Sequence, residues 1–450
     1  MSKKIFSYLP ILCVASLVCC LSACDNFLDI RPLGRVIPKT ATEYRELLTH
    51  AYSIFPEDRG MTSFRSDEMT FSKAYTSASD YDSYFDIWAW NDASPSRTTS
   101  SFSWRSFYQV IFEACVLIEN RDNISGADSQ TLNQLLGEAY MLRAYAHFVL
   151  ANLYGKPYTQ PNAPASRTIP LKRNSSTEEV LQRNSLSEVY AFVLEDIAKA
   201  ETLLNVELWE APYRYRFGRL AVDAFRSRVF LYMGDWQKSL EASKRVLHAN
   251  GKLQDLTSGK MLPNNYKSDE AIVALERCLT SGFQTAGTVS DELLNSYSGG
   301  DKRKSLYFQA ITLSAYRAAK GGGGELRCSF RKAEIYLNAA EAAAQLGTLD
   351  EAKSLLLELM KHRYTSAALS TQQSLLEAIA GQQELLDFIQ AERRRELAFE
   401  GHRWFDLRRT TRPKLEKSYE GKNYVLESDS ETYTLKIPTE AIEANPGLAN

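Results

Sequence analysis

From Trp104 onward the chain is written mostly in helical periods. Apolar residues recur every three or four positions over 103–121, 129–153, 186–204, 216–233, 236–249, 326–346, 349–362, 371–379 and 382–400, and this spacing predicts a helix in each. In the second stretch Leu135, Leu142, Tyr145, Ala146 and Val149 form one apolar stripe. Two pairs of segments are separated only by a turn. LAVDAFRSRVFLYMGDWQKSLEASKRVL breaks at Gly234-Asp235, and RKAEIYLNAAEAAAQLGTLDEAKSLLLELMKHR breaks at Gly347-Thr348. Gly supplies a left-handed cap there, and the Asp or Thr that follows opens the next helix. Upstream, Pro32 and Pro38 keep the chain extended, and a helix is expected after Thr40 or Thr42.

Other stretches break the period. Residues 56–103 are rich in Ser, Thr, Asp and aromatics, which predicts a long irregular region kept ordered by its rings. Residues 154–185 are punctuated by Gly and Pro, and 251–325 are loop-rich. Within the latter, AIVALE (271–276) reads as a short strand and Gly321–Gly324 as a flexible joint. YTLKIPTEAIEANP near the end reads as a strand followed by a short helix. The helix pairs resemble tetratricopeptide repeats, degenerate and separated by insertions.

The N-terminus carries an address. Lys3 and Lys4 precede the apolar run IFSYLPILCVASLVCCL, the pattern of a secretory leader and too short for a confident spanning helix. The run ends Leu21-Ser22-Ala23-Cys24, which resembles a bacterial lipobox. This predicts a leader over 1–23 and a domain anchored to a membrane by lipid on Cys24. Cys115, Cys278 and Cys328 remain, too sparse for a disulfide framework or a zinc site. Free buried thiols are expected, with one bridge allowed in an oxidising compartment.

Charge narrows the function. The net charge is −2, and removing Lys3 and Lys4 with the leader makes the mature chain about −4. That argues against general nucleic-acid binding. The five histidines show no metal-ligand spacing, and there is no G-x-S-x-G or Walker loop. Gly321–Gly324 lacks the Lys-Ser/Thr that a phosphate loop needs, and the adjacent acids Asp67-Glu68 are a weak glycosidase signal. The expectation is a non-catalytic protein with no cofactor and no bound metal.

Several segments in order carry a family resemblance: CDNFLDIRP, GEAYMLRAYAHFVLANLYGKP (137–157) with IPL (169–171), LYMGDWQKSLEASKRVL, RKAEIYLNAAEAAAQLG, ELAFEGHRWFDLRR and IPTEAIEANPGL. Together they are similar to the SusD/RagB family of Bacteroidetes outer-membrane lipoproteins. Cys115 departs from the pattern, standing where an asparagine is common. The resemblance implies a mainly α fold of tetratricopeptide-like helix pairs in a right-handed superhelical scaffold, with long irregular insertions and a few short strands. It implies one domain over 24–450, with repeat helices at about 104–153, 186–249 and 326–400 and ligand-side insertions at about 56–103 and 251–325. It implies a cell-surface protein that binds a glycan or oligosaccharide and delivers it to a SusC-like TonB-dependent barrel. Peptide capture, as in the RagB branch, and a scaffold that binds only proteins are the alternatives.

Sugars lay their C–H faces on aromatic rings while their hydroxyls bond to Asn, Asp and Arg. YDSYFDIWAWND offers both, and the candidate ligand residues are Tyr84, Trp88, Trp90 and Asn91. In an extended segment Trp88 and Trp90, two apart, project to one side. Tyr297 and Tyr307 in the second insertion complete the set, and Trp209, Tyr213 and Tyr215 are further candidates. Packing onto the helices as an ordinary cap is the competing role for each ring.

ERRRELAFEGHRWFDLRR (392–409) is the densest charged stretch. As one helix ended by Gly401, it places Glu392, Glu396 and Glu400 on a single face, with Arg395, Arg393 and Arg403 three residues from each in turn. Arginines already paired leave few for phosphate, so a structural clasp is expected.

Overall fold

Thr40 opens the first described helix, α1 (Ala41–Ser53), with a capping box: its hydroxyl accepts the Glu43 N–H, and the Glu43 carboxylate accepts the Thr40 N–H at 2.9 Å. The computed structural model describes residues 38–449 other than Cys328, so the leader and Cys24 lie outside the described residues. The longer helices that follow are α2 (Ala78–Trp88), α3 (Trp104–Glu119), α4 (Ser129–Tyr154), α5 (Leu186–Leu203), α6 (Arg219–Met233), α7 (Trp236–Asn250), α8 (Lys332–Gln345), α9 (Leu349–Lys361), α10 (Ser366–Ala378), α11 (Gln382–Glu396) and α12 (Arg403–Arg409). Among the described residues none is long and apolar enough to cross a membrane.

The helices stack in sequence order: α3 on α4, α4 on α5, α6 on α7, α7 on α8, and α8 on α9 and α11. Flanked on several sides, α4 is buried at every residue from Gln134 to Tyr154, as its near-continuous apolar sequence requires. The two predicted turns are present, with Gly234 (φ 74°) and Gly347 (φ 80°) in the left-handed region. Asp235 caps α7 by accepting the Lys238 N–H, whereas Thr348 turns back and donates to the Ala343 carbonyl at 2.9 Å. Ala339, Ala340, Ala342, Ala343 and Ala344 are fully buried, and their small side chains let α8 approach its neighbours closely.

Among the described residues, four two-stranded antiparallel ribbons decorate the helices. Strand β1 (Met69–Thr70) pairs with β3 (Thr288–Val289), β2 (Ala271–Val273) with β6 (Phe330–Arg331), β4 (Phe308–Ala310) with β5 (Tyr316–Ala318), and β7 (Leu415–Tyr419) with β8 (Lys422–Leu426). The β1–β3 pair joins the two insertions, and one hydrophobic cluster containing Phe64, Trp88, Leu279, Tyr307 and Phe399 fills the space between them.

Several expectations need correction. The region 56–103 is not wholly irregular, since it contains α2. The predicted helix over 326–346 begins at Lys332, because Phe330–Arg331 is taken by β6. Helix α10 starts at Ser366 rather than 371. The predicted strand before the final helix is absent; there the Leu435 N–H donates to the Leu153 carbonyl instead (3.0 Å). Gly321 and Gly322 are packed against Leu279, so the Gly run is no free joint. Cys115 is a free buried thiol, but Cys278 is disulfide-bonded.

The charged stretch is a clasp with different wiring. Helix α11 ends at Glu396 rather than Glu400, and Phe399 turns into the left-handed region (φ 59°). Glu396 accepts from Arg331 (2.7 Å), Arg363 (2.8 Å) and Arg303 (3.1 Å), all buried. Glu392 pairs with Arg303 (2.6 Å) and, as expected, Arg395 (2.7 Å). Burial alone would raise the Glu392 carboxyl, but these two guanidiniums override it and hold its pKa at about 2. Glu400 pairs with Arg331 and Lys320. Arg393 does not serve Glu396; it reaches Asp406 (2.7 Å) and Asn338 (2.7 Å). Arg403 does not serve Glu400; it forks onto Asp67 (2.6 and 2.8 Å).

Candidate functional site

Helix α2 starts where the Ser77 hydroxyl accepts the Asp80 N–H (3.1 Å). Tyr81, Tyr84, Phe85 and Trp88 then fall at i, i+3, i+4 and i+7 and share one face. The face is graded. Trp88, at its inner end, is fully buried, and its indole N–H donates to the Met69 carbonyl (3.0 Å). Tyr84 stacks on Phe64 at 4.8 Å and meets Phe283 edge-on. Tyr81 and Phe85, at the outer end, are half-buried and stacked on each other at 4.3 Å.

The hairpin β7–β8 completes the surface. Its two-residue turn, Glu420-Gly421, has positive φ at both positions (48° and 76°), which suits the twist of the strands. Tyr419 lies 5.4 Å from Tyr81 and 5.2 Å from Phe85, and Tyr424 lies 5.3 Å from Phe85. Tyr419 and Tyr424 are also half-buried, so four rings from two distant segments form one partly exposed aromatic surface. Hydrogen-bonding groups border it: the exposed Lys73–Glu420 pair (3.0 Å) and the Ser418–Asn423 pair (2.7 Å).

Lys417 anchors the hairpin. Two residues before Tyr419, it shares that strand face. Its ammonium donates to the Phe64 (2.7 Å) and Trp88 (3.1 Å) carbonyls and sits 4.1 Å from the Trp90 ring centre. Burial, then repulsion from the Arg65 guanidinium, holds its pKa well below the usual lysine value.

The predicted ligand residues are scattered. The extended-strand geometry fails because the segment is helical, and residues two apart in a helix point about 200° apart. Trp90 follows the helix in the left-handed region (φ 58°). Its indole donates to the Arg65 carbonyl (2.9 Å), and its ring packs with Trp404, Leu415 and Tyr433, leaving an edge on a separate groove of about 1040 Å³. Asn91 is exposed but committed: its amide donates to Asp86 (2.9 Å) and to the Ser94 carbonyl (3.0 Å). Burial would raise the Asp86 carboxyl, but donors from Ser96, Asn91 and Thr99 outweigh it and lower its pKa, so this cluster ties down the 91–99 loop. Tyr297 is buried and donates to the Arg395 carbonyl (2.7 Å). Tyr307 is fully buried with the Lys320 ammonium 3.9 Å from its ring centre. Of the six, Trp88 underlies the aromatic surface, 5.4 Å from Phe85 and 5.6 Å from Tyr424, and Tyr84 is half-buried on the same helix face.

Tyr419 and Tyr424 lie outside the aromatic-rich segments that composition singles out. The signal for them is the alternation in KLEKSYEGKNYVLE around a Glu-Gly turn. The paired acids Asp67 and Glu68 are occupied: Asp67 by Arg403, and Glu68 by the Phe399 N–H (2.8 Å). Among the described residues no group of three or more His, Cys, Asp or Glu is placed to hold a metal.

Comparison with known proteins agrees with this architecture. A family profile described as "Starch-binding associating with outer membrane" matches residues 26–231, and one described as "SusD family" matches 294–450. A SusD-like protein of Formosa agariphila is 26% identical over 400 residues, covering 72% of this chain and 74% of that protein. The crystal structure of a SusD superfamily protein from Bacteroides thetaiotaomicron superposes with a TM-score of 0.76 at 22% identity, covering 91% of this chain and 99% of that one. A laminarin-binding SusD-like protein superposes at 0.63 with 19% identity, covering 83% and 92%. At these identities the two structures speak for the fold.

Proposed function

We propose that this chain, which belongs to the SusD/RagB family, binds an oligosaccharide on the aromatic surface of α2 and β7–β8 and performs no chemistry on it. In this reading it is a single domain held at the outer-membrane surface by lipid on Cys24, and it passes its ligand to a SusC-like TonB-dependent barrel. The observation that carries the binding role is the half-buried, mutually packed set Tyr81, Phe85, Tyr419 and Tyr424. Rings needed only for a core would be covered, as Trp88 is. Half-covered rings bordered by carboxylate, amide, hydroxyl and ammonium groups suit a pyranose, which has apolar faces and a polar rim. The family description and the laminarin-binding relative support a glycan as the ligand class.

The test is calorimetry against a panel of neutral polysaccharides, laminarin and starch included, and a panel of peptides. Tyr81→Ala and Tyr419→Ala are each expected to weaken glycan binding about tenfold, or about 1.4 kcal/mol. Glycan affinity unchanged in both variants refutes the site. Binding confined to peptides overturns the ligand class.

A further inference from the structure

A second hollow, of about 670 Å³, lies between α1, the Pro212 turn and the segments around Arg277 and Arg327. None of its lining residues belongs to the aromatic surface. Its volume falls within the range of about 300–1,000 Å³ usual for small-molecule sites. Phe55, Tyr215 and Tyr266 form apolar walls. The Tyr215 ring is held edge-on to Tyr52 at 5.4 Å, and its hydroxyl accepts from Arg216 at 3.1 Å.

The rim has an unbalanced charge. Among the described residues, Glu57, Arg277 and Arg327 are the charged residues lining the hollow. The Glu57 carboxylate takes Arg277 Nε at 2.7 Å and lies 4.0 Å from Arg327 Nη1. One carboxylate thus faces two guanidiniums. The terminal amino groups of Arg277 have no protein acceptor among the described residues. Arg327 is fixed by bonds to the Gly324 (3.1 Å) and Leu275 (3.2 Å) carbonyls, which orient its guanidinium. Burial, and then Arg277 beside it, outweigh Glu57 and lower the Arg327 pKa, as for a charge without a full counter-ion.

We propose that this hollow is a second binding site, for a uronate residue, with the sugar ring against Tyr215 and Tyr266 and the carboxylate held by Arg277 and Arg327. A planar carboxylate matches the guanidinium fork, and a second negative charge balances the rim. The inference rests on the oligosaccharide reading above for its ligand class, but on different residues. The full chain is titrated calorimetrically with a galacturonate trimer, a neutral oligosaccharide and a sulfated, uronate-free oligosaccharide. Arg277→Gln is the informative variant, because Arg277 is partly exposed and bonds only Glu57 among the described residues. Trimer affinity is expected to fall at least tenfold in Arg277→Gln and to be unchanged in Tyr81→Ala. No trimer binding by the parent chain, or equal affinity in Arg277→Gln at an unchanged thermal midpoint, overturns the proposal. Equal binding of the sulfated probe overturns the carboxylate assignment. Arg277-dependent trimer binding without any neutral glycan binding upholds this site and sinks the aromatic-surface reading; the reverse pattern does the opposite.

Discussion

His147, inside α4, offers a quantitative check on how the core is wired. It is fully buried, and both ring nitrogens are used. Nδ1–H donates to the Arg143 carbonyl (2.9 Å), and Nε2 accepts the Lys172 N–H (3.2 Å). Those partners require the neutral imidazole, since a second proton would set Nε2–H against an N–H. Burial first, then the positive charges of Arg143 and Arg173, depress its pKa to about 3, although the backbone hydrogen bond pulls the other way. The unfolded chain takes up this proton near pH 6.5, the folded chain only near 3. Between those values the unfolded state binds more protons. The stabilisation is therefore complete above about pH 6.5 and is lost on acidification, at about 1.4 kcal/mol per pH unit. From pH 7 to pH 4.5 the His147 contribution falls by about 2.8 kcal/mol, the two units below 6.5 multiplied by that slope. Glu68, raised to about 7, and Asp58, raised to about 6, both chiefly by burial, act in the opposite sense. The whole-protein curve therefore does not isolate His147, but a difference does. His147→Gln keeps a donor and an acceptor without titrating. Urea unfolding of parent and variant at pH 7 and pH 4.5 is expected to show the stability gap shrinking by about 2–3 kcal/mol in acid. A gap that does not change with pH refutes the assigned protonation state.

Two further variants probe the anchoring of the aromatic surface. Lys417→Met keeps the stem but leaves the Phe64 and Trp88 carbonyls unbonded, so a loss of about 1–2 kcal/mol in stability is expected. Glycan affinity should also drop several-fold because Tyr419 loses its registration, and unchanged affinity in calorimetry rejects the positioning role. Glu396→Gln removes the carboxylate shared by three buried guanidiniums and should cost about 3–5 kcal/mol in urea unfolding. A cost below about 1 kcal/mol means the clasp is not electrostatically coupled.

What the sequence revealed depends on how far apart the interacting residues lie. Helix pairing across Gly234 and Gly347 is local, and the expected turns are present. The helical period runs through Phe330–Arg331, which is a strand because it pairs with β2, some sixty residues upstream. The same distinction runs through the charged stretch. Arg395 to Glu392 spans three residues and was legible; Arg403 to Asp67 spans 336 and was not. At the proposed site, composition pointed to the segment that forms α2, and the two tryptophans it named are buried. The largest apolar rings gain most from burial, so Trp88 and Trp90 went to the core and left Tyr81 and Phe85 at the edge. Tyr419 and Tyr424 reach them only through tertiary folding, which no window of sequence shows.

These long-range bonds also tie the charged stretch to the two insertions that flank the proposed aromatic surface. Arg403 grips Asp67 of the first insertion, and the Phe399 N–H, set by a left-handed backbone just past α11, holds Glu68 beside it. Glu392 and Glu400 hold Arg303 and Lys320 of the second insertion. Through β1 and Met69, the first insertion carries the carbonyl that fixes Trp88, and Trp88 is the inner end of the face that presents Tyr81 and Phe85. Loosening the clasp is therefore expected to reach the aromatic surface through the insertions rather than directly, lowering stability before it alters the contact chemistry of the rings.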